Sequence, residues 1–144
     1  MGLPIGKLIC ASNENKVLFD FFQSGKYDRK RPFHLTSSPS MDILISSNLE
    51  RLIFDITGKD DRRTAELMKE LSETGTYTAD SAMREKLDAF ASGFASEEET
   101  FAEIRRVYEQ EHYVIDPHTA VASSVYRNWQ KQANDRSEER RVGK

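Results

Sequence analysis

Apolar positions along this chain recur with two periods, and those periods divide it into strands and helices. "IGKLICA" (residues 5–11) is a short apolar run with β-branched members, which predicts a buried strand. "SNEN" follows, where Asn13 or Asn15 is placed to cap a helix carrying Val17, Leu18, Phe21 and Phe22 on one face and ending at Gly25. A basic loop, "KYDRKRPFHL", separates this helix from "TSSPSMD". That string leads into a predicted long helix with Ile45, Leu49, Leu52, Ile53 and Ile56 in register and Gly58 at its end. "KDDRRTAELMKELSETG" predicts another helix, acidic at its start and closed by Gly75. "TADSAMREKLDAF" predicts a third, with Met83, Leu87 and Phe90 aligned, and "ASGFAS" a short strand. Ser96 and Glu99 have the spacing of a capping box, ahead of a helix with Phe101, Ile104 and Tyr108 as its stripe. The last helix carries Val121, Ala122, Val125 and Trp129.

This pattern predicts an α/β fold that is rich in helix and short of strands. The first strand is apolar on both sides, as in the interior of a parallel sheet covered by helices. Parallel neighbours are scarce in the chain, so the layout is expected to be a piece of a larger α/β protein. The last ten residues, "DRSEERRVGK", carry one apolar side chain among dense charge, and a frayed or disordered tail over residues 135–144 is expected.

Composition narrows the function classes. At 144 residues the chain is long enough for one domain with a core, and its net charge of −3 lacks the basic footprint of nucleic-acid binding. No apolar run nears the roughly 20 residues that span a bilayer. "MGLPIGKLIC" has neither the basic leader nor the long apolar segment of a signal peptide, so a cytoplasmic setting is expected. A single cysteine, Cys10, excludes an internal disulfide and a cysteine metal cluster.

Three strings hold candidate chemistry. Asp116-Pro117-His118-Thr119 places Asp at the N-cap, Pro at the first helical position and Thr at the third. It reads as a well-made cap, or as a helix start where Thr119 offers its hydroxyl to a ligand. "LTSSPSMD" gathers four hydroxyls before a helix, as a capping loop or as a seat for a small anion. Lys26, Arg29, Lys30 and Arg31 form a solvated loop or attract an anion. His34, His112 and His118 have no helical pairing that would hold zinc, and neither a nucleophile elbow nor a glycine-rich phosphate loop occurs.

"GLPIGKLICASNENKVLFDFFQSGKYD", "SPSMDILISSNLERLIF" and "VIDPHTAVA", in that order over residues 1–134, resemble the carboxyl-terminal portion of threonine synthase, in its longer bacterial and fungal branch. The resemblance stops near residue 135. It implies the helix-rich carboxyl-terminal part of a tryptophan-synthase-β-like (fold type II) enzyme dependent on pyridoxal 5'-phosphate (PLP). Such enzymes convert O-phosphohomoserine and water to threonine and phosphate. The family's Schiff-base lysine sits in a Ser-Phe-Lys-Asp type motif, and a Gly-Asn-Phe-Gly type loop cradles the cofactor phosphate. Neither string occurs here, so the chain alone is expected to be inactive. One position carries over: Thr119 matches the threonine whose hydroxyl hydrogen-bonds the pyridine nitrogen of the cofactor. A neutral hydroxyl is suited to donate to an unprotonated ring nitrogen, where a carboxylate would stabilise the pyridinium. Asn13, Ser37, Ser38 and Ser40 match segments that lead toward the active-site cleft. Two other readings stay open: a non-catalytic relic that pairs with a partner or itself through an exposed sheet edge, and a small-anion module built on "TSSPSM" and the basic loop.

Overall fold

Strand β1 (Leu8–Ser12), expected as a buried strand, is partly buried along its length, exposed at Leu8 and buried at Ser12. In the computed structural model, which describes the backbone of residues 6–142 and the side chains of residues 6–134, β1 pairs in parallel with β4 (Phe90–Phe94), Leu8 opposite Phe90 and Ser12 opposite Phe94. Alternation along β4 sorts its two faces. Phe90 and Phe94 turn toward α1 (Val17–Ser24), where Phe22 and Phe19 meet them at ring distances of 5.5 and 5.1 Å. Gly93 turns toward α6 (Pro117–Val142). A Cβ on Gly93 would lie 2.7 Å from Val125 Cγ1, so the missing side chain is what lets α6 settle on the sheet. Ile9 and Ala11 share that face, packed with Ala95, Val121 and Val125.

The larger core lies beside this sheet. Strands β2 (Lys26–Asp28) and β3 (Thr76–Thr78) form a short antiparallel pair with Tyr27 opposite Tyr77. The two rings stack at 5.2 Å and 10°, and Phe21 of α1 packs against both. Helices α2 (Leu49–Ile56), α3 (Asp61–Thr74) and α4 (Ser81–Leu87) close over the tyrosines with Ile53, Leu67 and Met83, none more than 1% exposed.

Several elements differ from the periodicity. β2 occupies the start of the expected basic loop, because Tyr27 is a core residue among the charges. The helix expected from residue 43 begins only at Leu49. Its would-be first turns are held open by the Tyr27 hydroxyl, which donates to Leu44 O and accepts from Ser46 N, both at 3.0 Å. Phe90 belongs to β4 rather than to the preceding helix. Neither Asn13 nor Asn15 caps α1, whose N-cap position is Lys16. Gly25 and Gly75 do end their helices in the left-handed region, at φ 75° and 80°.

Helix α5 (Glu97–Glu111) opens with the expected Ser96–Glu99 capping box. Its buried face is not the expected stripe: Phe101 and Tyr108 are about half exposed, while Thr100 and Glu103 are buried. Glu103 is buried because it is matched. Its carboxylate accepts from Arg106 on its own helix and from Ser123 and Arg127 on α6. Side chains from residue 135 onward, and residues 143–144 altogether, lie outside the described residues; over 135–142, where a frayed or disordered charged tail is expected, the described backbone continues α6. Among the described residues, no helix is long and apolar enough to cross a membrane.

Two predictions follow from the packing. Gly93→Ala should destabilise the chain by about 1–3 kcal/mol in urea denaturation, the usual cost of overpacking a filled site. The cost should shrink in a Val125→Ala background, and an unchanged cost would mean that the two positions do not meet. For Glu103, the hydrogen bond from Arg106 outweighs burial and, with Ser123 and Arg127, lowers the carboxyl to about 2. A carboxyl depressed in the folded state contributes stability that is complete above its unfolded value and fades as pH falls from about 5 toward 2. Glu103→Gln should therefore cost on the order of 3 kcal/mol near pH 7 and less with each step into acid, read from denaturation midpoints.

Candidate functional site

Where the parallel strands β1 and β4 end, the chain gathers its buried polar groups. Such carboxyl edges are where open α/β sheets bind ligands. Asn13 and Asn15 leave β1 there, 1% and 3% exposed. Buried amides need partners, since each one left unmatched costs roughly 1–3 kcal/mol. Most of those partners converge on Asp42. Its Oδ1 accepts from Asn13 Nδ2 (2.7 Å), Asn15 Nδ2 (3.0 Å) and the Thr36 hydroxyl (2.7 Å), and its Oδ2 accepts from Thr36 N (2.9 Å). Ser38, fully buried, joins through its hydroxyl at 3.0 Å from Asn13 Nδ2. Asn15 also exchanges hydrogen bonds with both backbone groups of His34. Burial pushes the Asp42 carboxyl up, but these donors outweigh it and hold the group below the usual carboxylate range.

The segment fixed by Asp42 then reaches α6. After the short turn Pro39–Met41, Met41 packs against the cluster of Ala95, Val121 and Val125. Ser40 N donates to His118 Nε2 at 3.2 Å. With Nε2 accepting, a neutral His118 ring carries its proton on Nδ1, 3.0 Å from Asp116 Oδ1. Asp116 also accepts from the backbone N–H groups of His118 and Thr119, which makes it the N-cap that the sequence predicts. Its other oxygen, Oδ2, accepts the Thr119 hydroxyl. That hydrogen bond, followed by those from the Thr119 and His118 backbones and the His118 ring, brings the Asp116 carboxyl down to about 2. Thr119 itself is exposed, with its hydroxyl held by Asp116.

The predicted residues thus fall into two groups. Asn13, Ser38, Ser40 and Thr119 meet at one edge, connected through Asp42, His118 and Asp116. Ser37 turns away, donating its N–H and hydroxyl to the two oxygens of Glu97, both at 3.0 Å. The hydroxyls of Thr36 and Ser37 are thereby given to the chain's own carboxylates, which disfavours an anion seat on "TSSPSM". Three of the four cations of the basic loop are engaged locally: Arg31 pairs with Asp20 at 2.5 Å, Arg29 donates to Ser72 O and Lys26 lies 3.6 Å from Asp28. His34 and His112 lie in other settings, His112 as the left-handed C-cap of α5. Among the described residues, no three metal-ligating side chains gather.

Sequence reasoning missed Asp42, His118 and Asp116 as a connected set. Asp42 stood in the "SPSMD" string, yet nothing in local spacing says that Asn13 and Asn15 will find it. A PLP ring nitrogen needs one hydrogen-bonding group at its edge, and the exposed, tethered hydroxyl of Thr119 is of the right kind.

No protein-family model matches the chain. Individual relatives do. It is 46% identical over 127 residues to the human threonine synthase-like 1, covering 87% of this chain and 17% of that protein. It is 44% identical over 140 residues to the threonine synthase of Corynebacterium glutamicum, covering 93% and 29%. Among solved structures, yeast threonine synthase superposes with a TM-score of 0.86 at 38% identity, over 95% of this chain and 30% of that one. PLP-bound threonine synthase from Brucella melitensis does so at 0.84 and 40%, over 89% and 28%. The chain therefore spans less than a third of the length of these relatives. In sequence and in fold, the chain matches a stretch of the larger α/β architecture of the threonine synthases.

Proposed function

We propose that this chain is the carboxyl-terminal portion of a PLP-dependent threonine synthase, and that it supplies the wall of the active site facing the cofactor's ring nitrogen. The observation that carries this reading is Thr119. It stands exposed on the first turn of α6, its oxygen held by Asp116 and its turn tied through His118 to Ser40. The relatives named as threonine synthases, one of them PLP-bound, support the cofactor and the reaction class. The reaction would be conversion of O-phosphohomoserine and water to threonine and phosphate, a carbon–oxygen lyase step of amino-acid biosynthesis in a cytoplasmic setting. Bound PLP supplies the electron sink for that chemistry.

The chain's own residues bind and orient. Thr119 fixes the ring edge, Asp116 and His118 fix Thr119, and Asp42 fixes the segment on which Ser40 lies. The lysine and glycine-rich motifs of the family do not occur in these residues, so the chain by itself is expected to form no threonine. A second reading, a non-catalytic relic that pairs with itself, draws on β1, whose only strand partner among the described residues is β4.

In a full-length protein carrying this segment, Thr119→Val should keep the fold and weaken PLP binding. One hydrogen bond is worth roughly 0.5–1.5 kcal/mol, or about a 2- to 13-fold rise in Kd, readable by titrating the cofactor-free protein with PLP. Unchanged affinity together with unchanged turnover would remove Thr119 from the site. Conversion of O-phosphohomoserine by the isolated 144-residue chain would overturn the expectation that it is inactive alone.

A further inference from the structure

Strand β4 pairs along one of its two edges. Ala95 N donates to Ser12 O, so in this parallel register the backbone groups of Ala91 and Gly93 also face β1. Alternation turns the N–H and C=O of Ser92 and Phe94 to the opposite edge, where no strand meets them among the described residues. Free edges are ordinarily blunted by a charge, a proline or a bulge. The string "FASGF" has neither charge nor proline, and it runs against β1 without a bulge. This edge is the floor of a groove of about 360 Å³, walled by Phe19 and Gln23 of α1 and by Asn128, Trp129 and Gln132 of α6. The walls are held in place. Phe19 packs on Phe94 at 5.1 Å, Gln23 Nε2 donates to Ser92 Oγ at 3.0 Å, and Trp129 stacks on Tyr126 at 6.3 Å.

Charge and shape select what fits. None of the residues lining the groove is charged, and its amide side chains offer donors and acceptors of the same kind as a peptide backbone. Lys16, with Nζ 4.1 Å over the Phe94 ring, disfavours a basic occupant. A neighbouring strand lies about 4.8 Å from its partner, which here places it between the two helices. A single extended chain fits that slot. A second copy of β4 does not, because it would bring its own α1 and α6 against these walls. We infer that the outer edge of β4 is a docking groove for an extended, uncharged segment of a partner protein, which adds to the sheet as a strand. Backbone bonds to Ser92 and Phe94 supply the affinity. Alternate side chains of the segment turn toward Phe19 on one face and Trp129 on the other, which selects apolar residues. The groove is independent of whether Thr119 meets a cofactor.

Trp129 is the single tryptophan of the chain, so its fluorescence reports on the groove. The 144-residue chain is titrated with a terminally blocked peptide of alternating valine and serine, and a saturable change in emission is expected. N-methylation of one alternate set of peptide amides should abolish the change, while methylation of the other set spares it, since only one edge of the peptide meets β4. Ser92→Pro removes an outward N–H and leaves the bonds to β1 in place, as edge strands allow. It should weaken binding about tenfold or more. Asn128→Lys, which puts a charge in the groove without touching the strand, should weaken binding as well. The inference is overturned by the absence of a saturable change, by equal effects of the two methylated peptides, or by binding that survives both substitutions. A dimer of the peptide-free chain in sedimentation that Ser92→Pro dissolves would assign the edge to a second copy, and would overturn it too.

Discussion

The carboxylate of Asp42 is the constraint on which the carboxyl edge of the β1–β4 pair depends. Two buried asparagines at the end of β1 and the backbone of Thr36 all spend hydrogen bonds on it. A half-buried carboxylate stays charged only when its acceptors are filled, and buried amides stay folded only when their donors are used. Each side of the network therefore requires the other. The result is that residues 34–42, a loop with a single short turn at Pro39–Met41, are held firmly enough to offer Ser40 N to His118.

From that point the geometry is carried by packing. α6 approaches the sheet as closely as it does because Gly93 has no side chain, and its direction is set by Val121 and Val125 on that face. The far flank of α6 is tied to α5 by Glu103, whose two guanidinium partners come from different helices. Thr119 thus inherits its position from three sources: a glycine in β4, a buried charge between helices, and a polar network from the first strand. Each is distant in sequence from the residue it places.

A capped helix start and a ligand-facing hydroxyl were competing readings of "DPHTA"; the folded chain shows the cap, with Thr119 exposed on the first turn behind it. The cap residue that satisfies the free N–H groups of α6 is also the acceptor that orients the Thr119 hydroxyl. The hydroxyl-rich "TSSPSM" resolves the other way. Thr36 and Ser37 give their hydroxyls to Asp42 and Glu97, which disfavours an anion seat there.

Local sequence by itself determined the helices with strong caps and clean stripes, because caps and periodicity are properties of a few neighbouring residues. Gly25, Gly75, the Ser96–Glu99 box and the Asp116 cap are all of this kind. The order of the "SPSMD" and "DPHTA" strings likewise made the resemblance legible. Only the tertiary structure decided which face of α5 is buried, because a glutamate enters a core only when arginines from elsewhere arrive to meet it. It alone showed Tyr27 to be a core residue within a charged loop, stacked on a tyrosine fifty residues away. It alone joined Asn13 to Asp42 and Ser40 to His118. Those contacts depend on where two distant segments are brought together, and hydrogen bonds of that range leave no period in the sequence.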